Sequence, residues 1–553
     1  MRLLNRTILF FNLAIVALLV CHATALAQRP QAVTAEQHFG RGVALLEKQQ
    51  SDQAINELRL AIKMKPGFAE AHNVLGLALA AKGDVRLAAE SFRKAIELDP
   101  KLYKAHRNLG QALQQLGDAE GAISAYRQSL AIKADEAETH LMLGYVLAAR
   151  GELRAAIYEF ETTIKLRPEY GEAYYYLGTA RWFSDDTAGA ITALKTAVKL
   201  LPNHADSHYY LGLALRKSGD SQAALGELTT ATRLAPEMVE ARHSMGQVLQ
   251  ENEEIDEALE AFRAVIKLKP DFVPAYNDLG LALVAKRDPD AAIAAFNQAL
   301  KLDPNNLVAR HNLGMAYIQK SDYAAAVAEY RKLIQIAPDS ADAHYNLGLA
   351  LKNKDQFDEA IAELKRAVAL QPDLPEAHYT LGVVLLQQGK LDEAASAFRA
   401  ALANKPDYAE AQYALGTVLQ QQGDLDGAIA AFRAALKLAP NAPEIHNTLG
   451  TALRQKGDME AARVEFQEGV RLNKKKSDIQ AATFAINTGL AQLKAGNLDA
   501  AIERFEAAVK LVPEDAKAHY HLAKALLEKG QKEAAQAEYQ KAKQLDPRLK
   551  PLK

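Results

Sequence analysis

Nine histidines stand at one position of a recurring pattern: His38, His72, His106, His140, His208, His344, His378, His446 and His519. Imidazoles at fixed spacing could hold a metal if two or more converged on one ion, since Zn–N bonds are about 2.0–2.1 Å long. Equivalent residues on neighbouring helices stand about 8–10 Å apart, too far to share one. Their expected role is that of semi-buried aromatics between helices, and no metal or cofactor is expected. Other reactive patterns fail on inspection. Gly389-Lys390 has Val384 where a phosphate loop needs its first glycine, and Gly40-Arg41-Gly42 lacks a third. The sequence contains no HExxH and no GxSxG, and its one cysteine, Cys21, lies in an apolar N-terminal run. Carboxylates are plentiful, but on helix faces expected to be solvated. Catalysis is therefore not expected.

Recognition chemistry has better material. Tyr174, Tyr175, Tyr176, Trp182 and Phe183 crowd one helix, and Tyr209 and Tyr210 occupy an equivalent one 34 residues on. Tyr175, Thr179 and Trp182 lie at i, i+4 and i+7 and share a face. Leu141 and Tyr145 extend that face backward, and Tyr209 and Leu213 extend it forward. Leu177, Gly178 and Arg181 belong to the face expected to pack inward. Large aromatic surfaces beside Arg216 and Lys217 match the composition of binding hot spots. The candidate partner-binding residues are Tyr145, Tyr175, Tyr176, Thr179, Trp182, Phe183, Tyr209, Tyr210 and Arg216. Tyr345, Tyr379 and Tyr413 recur at the Tyr175 position, so tyrosine there can also be ordinary packing. Trp182, the only tryptophan, is least explained that way.

The elements that carry these residues repeat every 34 positions. Pro66 and Pro100 keep that interval, as do Pro168, Pro202, Pro236, Pro270, Pro304, Pro338, Pro372, Pro406 and Pro440. Glycines from Gly42 to Gly450 and alanines from Ala54 to Ala462 keep it as well. Thirteen contiguous repeats run over 35–476, five residues intervene at 477–481, and two further repeats occupy 482–549. Each repeat reads as two amphipathic helices. In the second repeat Leu75, Ala78 and Leu79 mark the first helix, and Ala88, Phe92, Ala95 and Ile96 the second. Gly83-Asp84 between them is a left-handed stop followed by a capping carboxylate, and Pro100 ends the unit. The glycine of each first helix and the alanine of each second leave room for a bulky residue such as Phe92, Phe262 or Phe466. At the interruption, Ser477 or Asp478 is expected to cap a longer first helix after a tolerated insertion in a turn.

Leu75-Gly76, Leu177-Gly178 and Leu347-Gly348, with Ala292, Phe296, Ala299 and Pro304, resemble the tetratricopeptide repeat (TPR) across residues 35 to about 549. The family's frequent tryptophan is usually histidine here. Ala134 and Lys474 replace the terminal proline, and Ala523 the glycine. The resemblance implies an all-α solenoid: a right-handed superhelix of about fifteen antiparallel helix pairs whose first helices line an inner groove. It implies a non-catalytic scaffold that binds a protein or peptide. The family's charged clamp for a carboxylate tail cannot be assembled, since Arg107 and Gln111 are followed by Leu141-Met142 and Tyr175-Tyr176. Two alternatives are a carbohydrate or cell-wall binder using the same aromatics, and a substrate-recruiting arm of a separate glycosyltransferase. Resemblance to glycosyltransferase repeat arms is confined to the repeats.

Over 553 residues, 66 Lys+Arg against 68 Asp+Glu leave a net charge of −2, with no basic footprint for nucleic acid. Arg2 and Arg6, the apolar run 8–20 and Ala25-Leu26-Ala27 form the pattern of a secretory signal peptide. Cleavage is expected after Ala27, leaving 28–34 as a short leader, with export to the periplasm or outside; an uncleaved membrane anchor is the alternative. No other stretch is apolar enough to span a membrane. Arg41 at the first repeat, and Gln536 and Lys543 at the last, are expected to make the two end faces polar, with a short tail at 550–553.

Overall fold

The computed structural model describes residues 33–552. Among them it holds 29 helices, arranged as antiparallel pairs. The signal-peptide and anchor readings fall on residues outside that range. The chain forms two compact bodies, one through Leu302 and the other from Asp303. The same rule builds each. Within a body every helix packs on the next, and consecutive first helices also touch, for instance Gly171–Phe183 with Ala205–Lys217. Consecutive second helices make no comparable backbone approach among the described residues. First helices therefore line the inner side of each body.

Helix ends follow the local chemistry. Gly83, Gly423 and Gly457 stop first helices in the left-handed conformation, with φ of 98°, 86° and 95°. Asp118, Asp220, Asp424 and Asp458 then cap the second helices by accepting from the backbone N–H three residues on. Asp84 departs from this expectation: it holds the cap position without a side-chain hydrogen bond. Where glycine is missing from the turn, Glu253, Arg287 and Ser321 adopt φ of 63–64° instead, which costs a side-chain-bearing residue about 1–2 kcal/mol. Pro289 opens a second helix, Pro289–Leu302, and its missing N–H is harmless there.

Packing depends on the small-against-large interlock. A Cβ on Gly76 would come within 2.5 Å of the Phe92 ring, so only glycine lets the two helices close. Phe92, Tyr126, Phe160, Phe262, Phe296, Tyr330, Phe398, Phe432 and Phe505 are fully buried by this device. Each such ring contributes roughly 1.5–3 kcal/mol.

The histidines do more than fill space. His140 Nδ1 lies 2.5 Å from Glu159 of its own second helix, and Nε2 lies 2.9 Å from the Ala134 carbonyl of the preceding turn. His208, His344, His446 and His519 repeat both contacts, with the glutamate 19 residues on and the carbonyl six residues back. A carbonyl and a carboxylate both accept, so the position suits a side chain that can offer two N–H donors. Arg310 occupies the same position with the same two partners, Glu329 at 2.8 Å and the Pro304 carbonyl at 2.6 Å. The position thus favours a two-donor cation that staples one repeat to the next. Burial alone would disfavour the charged form of His140, but its bonds to Glu159 and the Ala134 carbonyl outweigh that and raise its pKa.

The interruption at 477–481 is not a turn. One helix of 36 residues, Met459–Lys494, fuses the second helix of repeat thirteen to the first helix of repeat fourteen, and neither Ser477 nor Asp478 caps anything. Proline follows nearly all the other second helices, Leu438 being followed at two residues by Pro440, while Ala119–Ile132 ends before Ala134 without one. Lys474 stands in that slot here and no glycine follows until Gly489, so nothing interrupts the hydrogen-bond ladder. Phe466 is only half-buried, unlike Phe432 and Phe505 on either side of it in the repeat series.

Candidate partner-binding surface

The tyrosine-rich surface lies in the first body, on the first helices Ala137–Ala149, Gly171–Phe183 and Ala205–Lys217. The inward face is as expected. A Cβ on Gly178 would meet Leu194 at 2.5 Å. Arg181 bonds Glu161 at 2.7 Å and reaches the Gly189 carbonyl at 3.4 Å, both on second helices. Tyr174 turns the same way, lining a recess with Glu161, Leu177 and Arg181.

On the inner side the rings form a chain. Tyr145 meets Tyr176 edge-on at 5.5 Å, Tyr176 touches Tyr175 at 5.1 Å, and Tyr175 lies 6.2 Å from Tyr210. Tyr210 in turn contacts Tyr209 at 5.2 Å and Phe183 at 6.0 Å. Tyr176 also stacks on the buried Phe160, so it anchors the chain to the core. Trp182 is half-buried against the same core cluster as Tyr175, Tyr209 and Tyr210, with the Lys217 ammonium 5.3 Å from its ring. Lys217 is paired with Asp185. Phe183 is 63% exposed, the most open ring of the set.

Two candidates sit differently. The Thr179 hydroxyl donates to the Tyr176 carbonyl of its own helix at 3.0 Å, so it contributes little to recognition. Arg216 turns to the next first helix, binding Glu251 and Gln247, each at 2.6 Å. That contact opens a polar network the sequence reading missed: Gln247 donates to Asp278 at 2.8 Å, and His243 bonds the same oxygen at 2.8 Å. Burial would raise the Asp278 pKa, but these two donors lower it below the usual carboxylate value. His204, also missed, meets Tyr175 at 4.7 Å from the turn before the next helix. The available signal was a spacing of 31 or 35 residues between polar or aromatic residues of successive first helices. Burial raises the pKa of Tyr175, Tyr176, Tyr209 and Tyr210, so all four phenols keep their protons at neutral pH.

Family models described as tetratricopeptide repeat match residues 39–103, 83–137, 141–182, 177–239, 243–306, 345–409, 413–475 and 486–549, and another covers 295–328. A further model, described as TPR repeat, covers 314–355. The chain belongs to the tetratricopeptide-repeat family. No curated protein matches this TPR chain. Similar solved structures include YrrB, described as a TPR protein with an unusual peptide-binding site, at 24% identity and TM-score 0.32, over 34% of this chain and 98% of that one. Yeast Tom70 is 18% identical with TM-score 0.35, over 78% and 96% of the two chains. MamA from Desulfovibrio magneticus RS-1 is 24% identical with TM-score 0.30, over 31% and 96%. No helix among the described residues of this TPR array is long and apolar enough to cross a membrane.

Proposed function

We propose that this TPR protein is an exported, non-catalytic scaffold whose inner surface in repeats four to six binds an extended peptide segment of a partner protein. The observation that supports this is the ring chain from Tyr145 through Tyr176, Tyr175 and Tyr210 to Phe183. Half-buried aromatics held rigidly by the scaffold offer contact area at little entropic cost, the usual make-up of a binding hot spot. Four protonated phenols add donors and acceptors for a peptide backbone. Arg216 and Lys217 already have acidic partners in the chain. The segment recognised is therefore one with aromatic or aliphatic side chains and few charges.

A displayed peptide library panned on the chain tests this reading. Enrichment of apolar peptides that no longer bind a Tyr175→Ala, Tyr210→Ala double variant supports it; equal binding to both proteins contradicts it. A glycan array on the same pair of proteins addresses the carbohydrate alternative. Binding there, lost in the double variant and without any peptide enrichment, would replace the peptide reading. Co-purification of a glycosyltransferase would favour the recruiting-arm alternative. Export rests on Arg2, Arg6, the 8–20 run and Ala25-Leu26-Ala27. The purified product from a bacterial host should begin at Gln28, and a cytosolic product still beginning at Met1 would remove export from the proposal.

A further inference from the structure

The fused helix Met459–Lys494 carries two apolar faces that have lost their mates. At an ordinary junction the second helix of one repeat packs on the first helix of the next. Leu436 and Val509 are half-buried at such contacts, and the small residues Ala411 and Ala518 of first helices are fully buried. The equivalents on the fused helix are Val470, 67% exposed, and Phe484, 72% exposed. Met459 adds a third open side chain at 64%. Fusing the two helices end to end places each face on one rod, so within a single chain they never meet.

We propose that this rod pairs antiparallel with the same rod of a second copy. Met459, Phe466, Val470, Ser477 and Phe484 fall at steps of 7, 4, 7 and 7 residues, which keeps them on one stripe of the helix. Beside the first three runs a groove of about 820 Å³, lined also by Ala462 and Arg454. The Arg454 guanidinium lies 5.7 Å from the Phe466 ring at its edge. A two-fold axis at Ser477 sets Val470 of one copy opposite Phe484 of the other, twice, and so seats each Phe484 ring at the other copy's groove. The occupant is a second copy because the missing mate of a second-helix face is a first-helix face, and the unpartnered one lies on this same rod. Charge works against the contact. Lys474, Lys475 and Lys476 of both copies approach the axis with Asp478 as the nearest offset, so added salt tightens the pair.

Sedimentation equilibrium of the full chain over a concentration series tests this. Two-chain mass is expected at high concentration, with a dissociation constant that falls severalfold as salt is raised. Phe484→Asp, at an exposed position, should restore one-chain mass with helical content unchanged. A Ser477→Cys, Cys21→Ser chain should cross-link to a disulfide dimer under mild oxidation, because only residues near the axis meet their own copies. One-chain mass at every concentration would overturn the proposal, as would a dimer unaffected by Phe484→Asp. A dimer whose Ser477→Cys form stays reduced would overturn the register.

Discussion

Tyrosine fills the same first-helix position in two stretches, Tyr175 and Tyr209 in the first body and Tyr345, Tyr379 and Tyr413 in the second. The difference lies in what the next first helix offers, 35 residues on. In the second body it is Thr380, Ala414 or Thr448, and the Tyr413 hydroxyl lies 3.2 Å from Thr448. The partner slot there is small, as Ser244 is for Tyr209, although Tyr379 also meets the Tyr408 ring of the turn before the next first helix at 5.0 Å. In the first body Tyr175 meets Tyr210, and the preceding repeat delivers Tyr145 to Tyr176. Tyrosine at that position is thus part of how repeats join, and it becomes a candidate binding surface only where rings of successive first helices meet, as Tyr175 meets Tyr210. A count of aromatics would not separate the two stretches; the partner slot does.

Mutation can break that comparison. For a peptide selected on the intact protein, Tyr175→Ala with Tyr210→Ala should cost about 2 kcal/mol or more in affinity, while Tyr379→Ala should leave affinity unchanged; calorimetry measures both. Equal losses would make the two stretches equivalent. The scaffold of the first body, one repeat on from that stretch, should respond nearly as strongly. Ala258 is fully buried, and Ala258→Leu should lower unfolding free energy by about 1–3 kcal/mol in denaturant titration through overpacking. A neutral result would mean the small-residue slot has been misread.

The staples sharpen a second contrast. His140 has Glu159 opposite and a raised pKa, whereas His72 has Ser91 at the equivalent position and burial lowers its pKa. For His140 the stabilisation is complete below the unfolded value near 6.5 and is lost as pH rises through the higher folded value. For His72 the stabilisation is complete above that unfolded value and is lost as pH falls through the lower folded value. His140→Arg, which copies Arg310, should remove the first dependence, leaving stability flatter between about pH 6 and 8; unchanged pH dependence would mean His140 is not charged in the fold. Smallest of all, Glu253→Gly should raise stability by about 1 kcal/mol by relieving its left-handed backbone, as thermal melting would register.

Much of this was legible before any coordinates. The 34-residue period, the Gly76 against Phe92 interlock and the turns at Gly83 and Gly423 depend on short-range rules, and short-range rules leave a mark in sequence. The fused helix was misread because an insertion is ambiguous: five extra residues can open a turn or extend a helix. The absent proline at Lys474 permits extension but does not by itself decide for it, since the second helix before Ala134 ends at Ile132 without one. The histidine staples were seen as packing because the carboxylate partner lies 19 residues away on another helix. Within the candidate surface, the shared face of Tyr175 and Trp182 was read from helical spacing. The bridging role of Tyr176, the contact from His204 and the turning of Arg216 toward Glu251 depend on neighbouring helices, which spacing along one helix does not report.

The central claim is that a partner peptide lies across the ring chain of repeats four to six. Trp182 reports on that place directly, since it is the only tryptophan and packs on the same buried cluster as Tyr175, Tyr209 and Tyr210. The decisive measurement is its emission during titration with a library-selected peptide. The account predicts a saturable spectral shift with a midpoint equal to the calorimetric dissociation constant, and a roughly 30-fold weaker constant by calorimetry for Trp182→Ala. Unchanged emission together with unchanged affinity of Trp182→Ala would contradict it and move the site elsewhere.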